Sequence, residues 1–171
     1  MTTPTEILQI RLEHILSRIT TGLICCSDFS EDEFKRLWCE TFDKFKDSSK
    51  SMKNEPKQIT FDRKVTVTNL YNFLSEHRDS IVFFSPADAL IMLKSAAFIR
   101  ILEGAMCSSP HSGKRWKISV DFKTPFSFTG SVIISIPVGA VNWKLKKYFN
   151  LHRDVVIVNL AENARKINLL K

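Results

Sequence analysis

The first apolar positions of the chain recur with the spacing of one helix face. The preceding stretch TPTE (3–6) carries the signals of a helix start: a threonine N-cap, a proline at the first helical position and a glutamate that completes a capping box. The apolar seam predicts either a helix docked on its own domain or a short self-associating helix. Its members, at intervals of four, three and four residues, are Leu8, Leu12, Ile15 and Ile19.

A second helix is predicted over SEDEFKRLWCETFDKFK (30–46), where Ser30 is the cap and Glu33 sits three residues on. With the first helix it predicts an N-terminal helical arm over 1–46. The polar stretch DSSKSMKNEPK (47–57) is interpreted as a linker, and 58–171 as a basic body. The aromatic-rich packing face of the second helix comprises Phe34, Leu37, Trp38, Phe42 and Phe45.

The body mixes strand and helix patterns. ITFDRKVTV (59–67) alternates irregularly, as a strand with a distortion would, and NLYNFLSEH (69–77) favours a short helix. IVFF (81–84) is typical of a short buried strand. SPADALIMLKSAAFIRILEG (85–104) predicts the central buried helix, with a Ser-Pro start and Gly104 as its stop.

Apolar and polar residues alternate strictly in RWKISVDF (115–122). The apolar residues, of which Phe122 is the last, are predicted on one side of a strand, and the polar residues, which include Lys117, on the other. FSFTGSVIISI (126–136) then predicts a returning strand, and DVVIVNL (154–160) another. The predicted fold class is α+β: an N-terminal helical hairpin, then a mixed body with a central buried helix and a mainly antiparallel C-terminal sheet.

Residues 141–149 suit two geometries almost equally. A helix leaves Trp143 exposed beside Lys146 and Lys147, where it would be a platform for a base or an anchor at a lipid interface. A strand, slightly favoured, buries Trp143 with its apolar neighbours. Lys144 and Lys146 would then share a polar sheet face with Arg115 and Lys117.

Charge is uneven along the 171 residues, whose net charge is +7. After Gly104, eleven lysines and arginines face only three carboxylates, which predicts an anionic partner or merely a solubilising surface. The residues predicted to bind a polyanion are Lys114, Arg115, Lys117, Lys144, Lys146, Lys147, Arg153, Arg165 and Lys166.

Catalytic and metal patterns are scarce. SSPHSGK (108–114) lacks the first glycine of a phosphate-binding loop and the hydroxyl residue after its lysine. Cys25, Cys26 and Cys39 with His14 could meet as ligands, but buried thiols of a reducing compartment explain them better. We therefore expect no enzyme, no cofactor and no metal, and a cytoplasmic or nuclear protein without secretion signal or transmembrane segment.

Three functional hypotheses follow. The first is a non-enzymatic protein that binds RNA through the C-terminal basic surface, although no known RNA-binding motif is present. The second is a peripheral, self-associating structural protein of viral-matrix type on an anionic membrane, with VIISIPVGAV (132–141) as its interfacial loop. An enzyme whose site is assembled only by folding is the third and least favoured alternative.

Overall fold

The computed structural model describes residues 3–48, 56–107, 117–140 and 155–160. In these ranges a strand follows each of the first three helices, and α4 and α5 come in succession before β4. The elements are α1 (Pro4–Leu16), β1 (Gly22–Cys26), α2 (Glu31–Ser48), β2 (Gln58–Thr60), α3 (Val67–Glu76), β3 (Ile81–Phe84), α4 (Pro86–Met92), α5 (Ala96–Met106), β4 (Ser131–Ile136), a 3-10 turn at Val138–Ala140, and β5 (Val155–Asn159).

The strands form one five-stranded sheet in the order β2-β3-β4-β1-β5, and every pairing between them is parallel. β1 lies inside the sheet, where Ile24 is opposite both Ile134 and Ile157. β1, β3 and β4 are buried along their whole length. Such short, continuously apolar runs suit parallel strands, because helical crossovers cover both faces of a parallel sheet.

This arrangement corrects the predicted fold class. The mainly antiparallel C-terminal sheet is wrong, because β4 and β5 both pair in parallel with β1. The N-terminal helical hairpin is also wrong, because β1 separates α1 from α2 and enters the sheet. Of the predicted linker 47–57, the first two residues belong to α2 and 49–55 lie outside the described residues.

One face of the sheet packs against α1 and α2. Leu8 and Leu12 of α1 and Trp38 of α2 are buried there with Leu23 of β1. Trp38 packs edge-on against Phe83 of β3, with ring centroids 5.5 Å apart. Its indole N–H also donates to the Gln58 side chain over 2.7 Å, which ties α2 to the edge strand β2.

The opposite face packs against α3, α4 and α5, with Leu74, Met92 and Leu102 fully buried in the second core. The single helix predicted over 85–104 is divided here into α4 and α5, since Ser95 is extended. The break turns the chain so that Met92 and Leu102 enter the same core. The predicted Ser-Pro start of α4 is confirmed, because the Asp88 amide donates to the Ser85 hydroxyl over 3.2 Å.

Candidate functional site

The predicted polyanion-binding residues fall mostly outside the described ranges. Lys117 is described and exposed. The remaining residues of that set, together with the candidate platform Trp143 and the ambiguous segment 141–149, lie outside the described residues: Lys114, Arg115, Lys144, Lys146, Lys147, Arg153, Arg165 and Lys166.

A polar sheet face that includes Lys117 does not exist in the described part of the molecule. Both faces of the parallel sheet are covered by apolar cores. Lys117 belongs instead to a loop between α5 and β4 that makes an isolated antiparallel bridge between Ile118 and Phe126. We call residues 117–126 the Phe122 loop.

The tip of this loop is a turn that presents Phe122 to solvent. The Lys123 amide donates to the Val120 carbonyl over 3.0 Å, and Phe122 between them has φ 63°. The relative exposure of Phe122 is 106%, so the ring is in full contact with solvent. The left-handed φ disfavours a side chain by about 1–2 kcal/mol, and burial of the ring offsets none of that cost. The alternation of 115–122 predicts that Phe122 and Ile118 face the same, inner side of a strand. The turn instead directs Phe122 to solvent.

The base of the loop is held firmly on α3. The Tyr71 hydroxyl donates to the Thr124 carbonyl. The Tyr71 and Phe126 rings meet edge to face, with centroids 5.2 Å apart. The Arg78 guanidinium lies 4.8 Å from the Phe126 ring centroid, and Ile118 is buried. The loop therefore presents its tip from a fixed base.

Gly104 permits the close approach of the same loop to α5. A Cβ at this position would lie 3.2 Å from the Lys117 carbonyl oxygen and 3.3 Å from the Ile118 side chain. The predicted role of Gly104 as a helix stop is wrong, because α5 continues to Met106. Its function is to let the loop backbone lie against the helix.

The carboxyl end of β1 is where an open parallel sheet of this kind commonly holds a ligand. The connection from β1 to α2 is SDFS (27–30), which has no glycine, and the first turn of α2 carries Glu31, Asp32 and Glu33. Carboxylates at a helix N-terminus compete with a phosphate for the same positive potential. This end of the sheet is therefore unsuited to a nucleotide phosphate.

The next candidates are the buried polar side chains of α1 and of the end of β1. Among the described residues, the buried side-chain atoms without a hydrogen-bond partner are Arg11 Nε and Ser27 Oγ. The Cys25 thiol is fully buried, and this burial raises its pKa; the neighbouring Cys26 adds to the increase and the Arg11 charge opposes it. The Cys25 thiol is thus protonated at neutral pH and is a poor nucleophile.

The candidate metal ligands are not brought together. Cys25 and Cys26 lie in a buried strand, whereas Cys39 is exposed on α2. Across the described ranges, no group of three or more His, Cys, Asp or Glu side chains is placed to hold a metal ion. None of the described helices is both long enough and apolar enough to cross a membrane.

The predicted self-association seam lies mostly inside the chain's own core. Leu8, Leu12 and Ile15 are buried against the sheet, and Ile19 is 50% exposed beyond the end of α1. The predicted interfacial run 132–141 begins with the buried strand β4. Among the described residues, Phe122 is the most exposed of the large apolar side chains, and its exposure was not predicted; the sequence hint nearest to it is the turn-forming KTP that follows.

No protein-family model matches the chain, and no curated protein matches it.

Proposed function

We propose that the chain is a non-enzymatic protein that binds a polyanion through its basic C-terminal third, with RNA as the favoured ligand. The observation that carries the proposal is the Phe122 loop, on which Lys117, Phe122 and Lys123 are all exposed. The loop belongs to the part of the chain after Gly104 that holds eleven basic residues against three acidic ones. A lysine can contact any phosphate of a nucleic-acid backbone, whatever the base beside it. Contacts of this kind suit binding with little sequence preference.

Groups with a shifted pKa do not lie together in a cleft within the described ranges. In these ranges the shifted pKa values belong to the buried Cys25 thiol and to an exposed ion pair. In that pair, the hydrogen bond between Arg63 and Glu76 raises the arginine pKa and lowers the glutamate pKa. Catalytic sites usually place acids and bases with shifted pKa values together in a cleft. Neither the Cys25 thiol nor the Arg63–Glu76 pair belongs to such an arrangement.

A second candidate partner is an anionic membrane surface. A solvent-exposed aromatic ring between two exposed lysines also suits the boundary between lipid headgroups and acyl chains. Self-association remains a further proposal, and sedimentation of the purified chain measures it directly.

The test compares binding of fluorescent oligo(U) RNA with flotation on neutral and anionic liposomes, each at 50 and 200 mM salt. If about six phosphates are contacted, the RNA affinity should fall about 10³-fold over this salt range. The double variant K117E/K123E should bind RNA more weakly and with a shallower salt dependence, because two phosphate contacts are lost.

The matched control is R36E/K44E, which makes the same change in net charge at exposed positions of α2. Equal loss of RNA affinity in both double variants would mean that only net charge matters. Failure of the unmodified chain to bind either RNA or anionic liposomes at 50 mM salt would refute the proposal. Flotation that requires anionic lipid, without RNA binding, would replace RNA by the membrane as the partner.

A further inference from the structure

We infer that Phe122 is a stacking platform for an unpaired base, so that the chain prefers single-stranded to duplex nucleic acid; this rests on the proposed function. The inference begins with the exposure of the ring. An aromatic side chain that is fully exposed at a left-handed φ gains no packing within the chain. Such a conformation persists only where the surrounding structure holds it, and it is common at ligand-binding positions.

The surrounding structure does hold it. The two backbone hydrogen bonds between Ile118 and Phe126, of 2.8 and 3.2 Å, close the loop. The contacts of Phe126 with Tyr71 on α3 and with Arg78 just after α3 fix the closed end of the loop. A ring presented from a rigid base loses less freedom on binding than one on a mobile segment.

The chemistry around the ring favours a base over a lipid. The residues next to Phe122 in the turn are Asp121 and Lys123, followed by an exposed Thr124. The exposed apolar surface near the tip is therefore small: the Phe122 ring and Pro125, among polar groups. Even a whole myristoyl chain gives only marginal membrane binding, and one ring buries much less apolar surface. A single ring is sufficient for a base, because each base offers one flat face.

The lysines add a second contact on the same strand. Lys117 and Lys123 are exposed on the loop that carries the ring, so both can approach phosphates that flank a stacked nucleotide. In a duplex every base is already stacked within the helix and offers no free face. On a duplex the Phe122 loop would therefore keep its contacts to phosphates but lose the stacking of the Phe122 ring on a base.

The test is a double-substitution cycle on the full chain. Oligo(U) RNA and an abasic oligonucleotide of the same length and charge are each titrated against the unmodified chain and against F122A. Stacking predicts that F122A lowers affinity for oligo(U) by about 5- to 150-fold and leaves affinity for the abasic strand unchanged. An RNA duplex of equal length should bind both proteins alike.

Two further variants keep the result interpretable. F122W should retain the affinity for oligo(U), because indole also stacks. F122N lacks a stacking ring but tolerates the left-handed φ, so it should lose affinity like F122A while the fold is kept, as judged by circular dichroism.

Equal affinity of F122A and the unmodified chain for oligo(U) would overturn the inference while leaving the proposed function intact. Equal losses on oligo(U) and on the abasic strand would also overturn it. Loss of anionic-liposome flotation in F122A, with oligo(U) binding unchanged, would assign the ring to a membrane instead. Absence of all polyanion binding by the unmodified chain would refute the proposed function itself.

Discussion

Arg18, which lies just after the C-terminal end of α1, allows a direct test of the local backbone geometry. It follows the C-cap Ser17 and has φ 63°, the left-handed conformation in which helices usually place glycine. The amides of Ile19 and Thr20 both donate to the His14 carbonyl across this turn, over 2.9 and 3.0 Å. The Arg18 guanidinium donates to the Gly130 carbonyl over 2.9 Å, which links the turn to the residue before β4.

The two substitutions to compare are Arg18→Ala and Arg18→Gly. A hydrogen bond from a charged donor contributes about 1.5–3 kcal/mol, with the lower end suited to this partly exposed contact. Both substitutions remove every contact of the guanidinium, so these losses cancel in the comparison. The alanine keeps the left-handed strain of about 1 kcal/mol, whereas glycine does not. Arg18→Gly should therefore be about 1 kcal/mol more stable than Arg18→Ala.

Urea unfolding followed by circular dichroism measures the difference in the free energy of unfolding. The control pair is Glu13→Ala and Glu13→Gly, at an exposed position inside α1. There the order should be the reverse, with alanine more stable by about 1 kcal/mol. If Arg18→Gly is the less stable of its pair, the left-handed cap and the reasoning built on it are wrong.

Two other predictions concern a close backbone contact and the thiols. Gly130→Ala should destabilise the fold by about 3 kcal/mol or more, because its Cβ would lie 2.0 Å from the Ser80 carbonyl oxygen; Gly139→Ala, with nothing within 4 Å, should be neutral in the same unfolding assay. A thiol reagent at pH 8 should label the exposed Cys39 at once and the buried Cys25, Cys26 and Cys107 only on unfolding, and fast labelling of Cys25 would contradict its burial. Because burial raises the pKa of Cys25, its neutral form stabilises the fold below the ordinary thiol pKa of about 8.5, and this stability is lost as the pH rises further. The unfolding free energy of C25A should then fall less between pH 8 and pH 10 than that of the unmodified chain.

Local signals in the sequence predicted local structure well. The capping box at the start of α1 is confirmed: the Glu6 amide donates to Thr3 Oγ1 over 3.1 Å, and the Thr3 amide donates to the Glu6 carboxylate over 3.0 Å. The buried strand predicted over IVFF is β3. Such signals depend on contacts between residues three or four apart, which the sequence displays directly.

Pairing and orientation of strands were not predictable in the same way. GLICC (22–26) is a short apolar run without alternation, and the sequence pattern does not predict the strand β1 that it forms. The clean alternation of 115–122 predicts a sheet strand, but Ile118 makes only an isolated bridge in the described part of the chain. A strand buried on both faces shows no period of two, so β1 lacks the alternation that marks a half-buried strand. The candidate site was missed for a related reason, since no glycine or asparagine marks the turn at Phe122.

The position of β1 in the sheet also dictates when the fold can be completed during synthesis. Both neighbours of β1, the strands β4 and β5, lie more than one hundred residues later in the chain. At about 5–20 residues per second, β1 waits on the order of 5–20 seconds after leaving the ribosome before β4 follows. Throughout that interval Leu23 and Ile24 are part of an unpaired apolar strand. Nascent chains that stop before residue 131 should therefore be a target for chaperones that bind extended apolar segments.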